Sequence, residues 1–149
     1  MSGPGYLLRP CAAIDRDFLW SLKRRTLRPY IEQTWGRWDE TAQRDHFLRT
    51  FSAKAVEVIV VEGRNAGMVE VARKPTEIFL ANIAVSPEFQ GRGIGAAIIT
   101  SLQTEARAAA LPVHLQVLKA NPRARALYTR LGFLLTGETS THHLMAWHR

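Results

Sequence analysis

The chain has 149 residues, the length of one ordinary domain, and its 46% hydrophobic and 22% charged residues are the balance of a folded globular protein rather than a disordered one. No apolar run approaches the roughly 18 residues of a membrane-spanning helix, and Cys11, the only cysteine, excludes an internal disulfide and any cysteine-based metal cluster. The formal net charge of +7 is scattered over Lys23-Arg24-Arg25, Arg37, Arg44, Arg49, Arg73-Lys74, Arg92, Arg107, Arg123 and Arg125, which disfavours a nucleic-acid stripe and suits a polyanionic small molecule.

Met1 to Arg9 carries no basic stretch followed by a hydrophobic core, so no secretory leader and a cytoplasmic location are expected. Tyr6 to Arg9 reads as a short strand. Asp15 stands where an N-cap belongs, ahead of a helix with Phe18, Leu19 and Leu22 inward. Pro29 disfavours a helical residue before it, so this helix is expected to end by Arg28. A second helix is predicted over Asp39 to Phe51, with Ala42, Phe47 and Phe51 inward.

Ala55 to Glu62 is predicted as a central strand, apolar on both faces. Gly63 to Gly67 forms a turn, Met68 to Arg73 returns as a hairpin partner, and Glu77 to Val85 is the next strand. Ile94, Ile98, Leu102 and Ala106 then recur every four residues, with Pro112 as the stop. Val113, Leu115 and Val117 alternate as a strand. Asn121 as N-cap, Pro122 at the first helical position and Gly132 past the end bracket a last helix with Ala124, Leu127, Tyr128 and Leu131 along its stripe. Strands at Phe133 to Thr136 and Thr141 to Trp147 close the chain. The order β-αα-βββ-α-β-α-ββ indicates one domain, an α/β mixed sheet with helices on both faces.

The most informative stretch is Gln90-Gly91-Arg92-Gly93-Ile94-Gly95, where a strand passes through glycines into a helix. Unpartnered N–H groups and the helix macrodipole make a phosphate-sized anion site there, and Arg92 can add charge. The Lys-Ser/Thr pair of a P-loop is missing. So is the acidic residue of a dinucleotide fold, since Val113 to Leu118 ends without one.

This loop resembles the Q/R-x-x-G-x-G/A acyl-CoA signature of the GNAT N-acetyltransferase superfamily, and Asn82-Ile83-Ala84-Val85-Ser86-Pro87 resembles the strand leading into it. Asn121, Ala124, Leu127-Tyr128 and Leu131-Gly132-Phe133 resemble the second cofactor motif of that superfamily, in the expected order and separation. The resemblance implies a mostly antiparallel, twisted sheet with splayed middle strands. It implies transfer of an acetyl or related acyl group from acetyl-CoA to a primary amine of a small molecule or peptide, without metal, nucleic acid or membrane. Homodimers are frequent among proteins of this shape.

By the same resemblance the pyrophosphate binds the amides of Gln90, Gly91, Arg92, Gly93, Ile94 and Gly95, and the pantetheine arm runs along Ile83, Ala84 and Val85. Asn121 and Ala124 belong to the cofactor helix, and Tyr128 protonates the leaving thiolate. The general base is open between Glu70 and Glu32. Tyr30, Glu32, Trp35 and Trp38, read as the connection between the first two helices, would offer aromatic faces and a carboxylate to an amine. A nucleic-acid-binding module, motivated by the charge of +7, and a domain that binds acyl-CoA without catalysis are the rival readings.

Overall fold

The computed structural model describes residues 5–51 and 55–148; Met1 to Pro4, part of the stretch read above for a leader, lie outside the described residues. The strands are β1 (Leu7–Pro10), β2 (Val56–Val61), β3 (Arg64–Arg73), β4 (Ile78–Val85), β5 (Val113–Leu118), β6 (Leu134–Glu138) and β7 (His142–Trp147). The helices are α1 (Arg16–Trp35), α2 (Glu40–Thr50), α3 (Ile94–Ala109) and α4 (Pro122–Arg130). All seven strands form one sheet in the order β1-β2-β3-β4-β5-β7-β6. Neighbours are antiparallel except β4 and β5, which run parallel and pair only from Ile78–Val113 to Leu80–Leu115. Beyond those three pairs the two strands part, which is the splay the sequence resemblance implied.

Alternation along the strands divides the core between the two faces. Ile59, Val69, Val71, Leu80, Leu115 and Val117 pack with the Ile94, Ile98, Leu102, Ala106 stripe of α3 and with Tyr128 of α4. On the opposite face Val56 and Met68 meet Leu19 and Leu22 of α1, flanked by Phe47 and Phe51 of α2. Among the described residues no helix is long and apolar enough to cross a membrane.

Three expectations are corrected. Helix α1 does not end at Arg28 but runs through Pro29 to Trp35, and Gly36 terminates it at φ 85°, its N–H donating to the Glu32 carbonyl at 2.8 Å. Pro29 and the Arg25 carbonyl it leaves unpaired are on the exposed side, where water takes over the lost bond, while buried Ile31 and half-buried Leu27 and Tyr30 hold the continuing helix down. The β2–β3 hairpin is tighter than expected. Glu62 and Gly63, at φ 53° and 75°, form the whole turn, and β3 starts at Arg64. Ala42 is exposed rather than inward; Phe47 is the residue of α2 that meets α1, with the Trp20 ring 5.7 Å from it and 6.0 Å from Trp38.

Asp15 stands at the α1 N-cap without bonding the helix. Its carboxylate, 4% exposed, instead accepts from Arg9 Nη2 at 2.7 Å, Arg9 Nη1 at 3.0 Å and the Ala12 N–H at 2.9 Å, tying β1 to the start of α1. The Arg9 hydrogen bonds hold its carboxyl below the usual range despite burial. A depressed folded-state value contributes stability above the unfolded carboxyl range, and that stability is lost as pH falls through the folded value. Asp15→Asn is therefore expected to lower Tm at pH 7, with the gap to the parent closing as pH falls below the ordinary carboxyl range; a gap independent of pH in thermal unfolding would refute the charge assignment.

Candidate active site

The parting of β4 from β5 originates in one extra residue. Opposite β3, Glu70 pairs with Asn82 and Val71 with Leu80, so Ala81 is a bulge. A bulge shifts the alternation of both side chains and hydrogen-bonding groups by one. Before it, the Ile78 N–H points toward the β5 side, donating to the Pro112 carbonyl at 3.0 Å. After it, the Ser86 N–H points the other way and donates to the Ala66 carbonyl of β3 at 2.7 Å. Val85, one residue earlier, thus turns its N–H toward the gap, and so does Ile83. Gln90 Nε2 donates to the Val85 carbonyl at 2.8 Å, bracing the exit of the strand.

At the end of β4 a 3-10 turn over Pro87–Phe89 leads to the glycine loop. Phe89 is 2% exposed and anchors the loop, while Gly91 and Gly93 adopt φ 79° and 77°, conformations that a side chain would strain. Gly93 is the N-cap of α3 without a side-chain bond, and the Ala97 N–H is the one that reaches the Gly93 carbonyl, at 3.0 Å. The N–H groups of Ile94, Gly95 and Ala96 are left for an anion. A Cβ at Gly91, Gly93 or Gly95 would meet nothing of the protein within 4 Å, so the space in front of the loop is open to a ligand. Arg92 does not face it: its guanidinium pairs with Glu62 at 3.1 Å and lies 5.2 Å from the Phe89 ring centroid.

Across the gap Asn121 caps α4, its Oδ1 accepting from the Ala124 N–H at 3.1 Å. Tyr128 is 8% exposed, with its ring 5.9 Å from Phe133, and burial pushes its phenol up to about 12. A phenol in that state carries its proton at any physiological pH.

These elements enclose one cleft of about 670 Å³ that passes through the sheet. Its α3/α4 end is lined by Gln90, Gly91, Gly93, Gly95, Asn121, Ala124 and Tyr128; its α1/α2 end by Leu22, Lys23, Phe47, Phe51, Met68 and Glu70. Ile83, Ala84 and Val85 form the passage between them. Tyr30 is on the wall. Glu32, Trp35 and Trp38 are not brought to this cleft, because α1 continues through Pro29 and carries that segment away as helix. Glu32 pairs with Arg28 at 3.4 Å, Trp35 is 56% exposed, and Trp38 Nε1 donates to Glu40 at 2.7 Å. His143 bonds Arg125 at 3.3 Å, and neither it nor His142 lines the cleft.

Sequence reasoning missed the wall supplied by α1 and two cations of α4, Arg123 and Arg130, at the cleft. The signal for the first was present: Leu19, Leu22, Lys23, Thr26, Leu27 and Tyr30 keep helical spacing straight through Pro29.

A profile of the Acetyltransferase (GNAT) family matches residues 17–133, more than half of the chain and both glycine loop and α4. The chain belongs to the GNAT family of acetyltransferases. GNAT enzymes move an acyl group from acetyl-CoA to an amine, and the chain is an acyl-CoA-dependent N-acyltransferase of this kind. Its cradle fits that donor: glycine N–H groups for a pyrophosphate, open space before them, and a strand edge free for an extended arm.

Solved structures of the GNAT fold agree over nearly the whole length. An acetyltransferase from Thermus thermophilus superposes with a TM-score of 0.73 at 16% identity, covering 100% of each chain. PaiA N-acetyltransferase from Thermoplasma acidophilum, solved in complex with coenzyme A, gives 0.70 at 14% identity, covering 97% of this chain and 99% of its own. The ribosomal-protein-S18-alanine N-acetyltransferase from Escherichia coli gives 0.67 at 20% identity, covering 97% of this chain and 94% of its own.

Proposed function

We propose that the cleft of this GNAT domain, taken as a single unit over residues 1–149 acting in the cytoplasm, acetylates a primary amine of a small molecule or peptide by direct transfer, with Tyr128 as acid and Glu70 as proton acceptor. The observation that carries this reading is the one cleft holding both an anion cradle at the α3 start and Tyr128 and Glu70. Acetyl-CoA, when bound, supplies a thioester carbon open to attack. The amides from Gly91 to Ala96 hold its pyrophosphate, the Gln90 N–H being taken by the Pro87 carbonyl at 3.2 Å, while Arg123 and Arg130 add positive charge and Ile83 to Val85 offer a strand edge to the pantetheine arm. Asn121 and Ala124 form the facing wall.

Glu70 on β3 stands beside Asn82 in the α1/α2 end of the cleft. There it takes the proton that an amine must lose to become a nucleophile. The Val85 N–H faces the negative charge that develops on the carbonyl oxygen. Tyr128 gives its proton to the departing sulfur; buried and held neutral, it arrives at that step with the proton in place. Homodimerisation is part of this reading, with an acceptor entering from the α1/α2 side.

Thermal unfolding tests the core of the proposal. Acetyl-CoA at about 100 times its dissociation constant is expected to add roughly 2.7 kcal/mol and raise Tm by several degrees, while NAD, ATP and short DNA leave it unchanged. No shift with millimolar acetyl-CoA would sink it, and a shift with DNA alone would favour a basic binding module.

A further inference from the structure

The acceptor end of the cleft holds two opposite charges that do not neutralise each other. Lys23 reaches it from α1 and Glu70 from β3. Among the described residues neither forms an ion pair, with the other or with a third group. Three neighbouring arginines of α1 that face outward are matched, Arg24 to Glu40 at 3.0 Å, Arg25 to Glu88 at 2.6 Å and Arg28 to Glu32 at 3.4 Å, whereas Lys23, the one cation of this helix at the cleft, is not.

Lys23 is also partly withdrawn from solvent. Its Nζ lies 5.9 Å from the centroid of Phe47, and partial burial lowers its proton affinity. A half-desolvated cation without a counter-ion is unfavourable until an anion joins it. Around the two charges Leu22, Phe47, Phe51 and Met68 supply apolar wall, interrupted by Thr26, Thr50 and Asn82.

Resting on the acetyl-transfer reading above, we propose that the acceptor is an apolar α-amino acid of the leucine or phenylalanine kind, with its carboxylate on Lys23, its amino group at Glu70 and its side chain against Phe47 and Phe51. The charges match a zwitterion end for end. A polyamine would bring a second cation toward Lys23, and an amine without a carboxylate would leave Lys23 unmatched. In the reaction the bound ammonium first gives one proton to Glu70; the freed amine nitrogen then forms its bond to the acetyl carbon, the carbon–sulfur bond breaks with the sulfur taking the Tyr128 proton, and the second proton lost by the nitrogen passes through water to restore Tyr128.

The test measures CoA release with phenylalanine, phenylalaninamide, phenethylamine and spermidine, on protein whose stabilisation by acetyl-CoA is recorded in the same preparation. The expected result is a kcat/KM for phenylalanine about 10- to 100-fold above that for the amide and the amine, the scale of one charge-assisted contact. Lys23→Met is expected to collapse that ratio toward one through KM for the amino acid, and Lys23→Arg to restore most of it. Equal or better turnover of phenylalaninamide, phenethylamine or spermidine overturns the assignment, as does a ratio that survives in Lys23→Met or no turnover of any of the four. If acetyl-CoA still stabilises the protein and any of the other amines is turned over, the acetyl-transfer reading stands and only the amino-acid acceptor falls; if acetyl-CoA does not stabilise it, both fall.

Discussion

Replacing Tyr128 by phenylalanine is expected to lower kcat by about 10²-fold or more, the usual scale for a lost general acid, while acetyl-CoA binding and Tm stay near those of the parent. The variant removes one oxygen and keeps the ring against Phe133, so the packing of α4 on the sheet survives. The contrast with the parent extends to pH. Burial holds the phenol neutral up to about 12, so Tyr128 imposes no alkaline fall in kcat below about pH 11. Any loss of rate on the alkaline side at lower pH must come from another group. Steady-state assays of CoA release across pH would decide: turnover unchanged in Tyr128→Phe removes the residue from the chemistry.

The second large effect is steric. A Cβ built on Gly67 of β3 would collide with the Ala84 carbonyl oxygen and sit 3.1 Å from the Val85 Cα. Both neighbours are backbone, and neither can swing aside. Gly67→Ala must therefore push the end of β4 away from β3 and into the gap that is open to the acyl donor. Gly67 does not have the left-handed conformation, so the whole penalty is the collision rather than strain. A cost of about 3 kcal/mol, the upper end of ordinary overpacking, lowers Tm by roughly 6–12 °C in a domain of this size. Affinity for acetyl-CoA falls with it, since the displaced residues are Ala84 and Val85. A variant with parental Tm and parental acetyl-CoA stabilisation would show that β4 is not fixed by this contact.

Local chemistry made much of this architecture legible. The Ile94, Ile98, Leu102, Ala106 repeat announced α3, and Asn121, Pro122 and Gly132 announced both ends of α4, because caps and periodicity are written in neighbouring residues. The anion cradle was legible for the same reason. Where tertiary packing overrode a local rule, the sequence misled. Pro29 is a local breaker, but the burial of Ile31 and the exposed position of the unpaired Arg25 carbonyl outweighed it. That one extension removed Glu32, Trp35 and Trp38 from the cleft and added Tyr30 to the α1 stripe that lines it. The Ala81 bulge had no local signature either: Ala81-Asn82 carries no glycine or proline, and the extra residue is defined only against the register of β3. Glu70 was legible as an anomaly, a lone carboxylate in an apolar strand, although its facing side was fixed only by its partners Val56 and Asn82.

An unpaired strand edge on the outside of a protein is a hazard, because any extended chain that arrives can zip onto it. Here the Ala81 bulge creates such edges, on β4 after Leu80 and on β5 after Leu115, in the interior of the sheet. They are walled by helices above and below, so another β-strand with side chains on both sides cannot slide in. A thin amide chain without alternating side chains can. The architecture thereby converts the most promiscuous surface in β-structure into a selective one, admitting by cross-section before any side chain has been consulted.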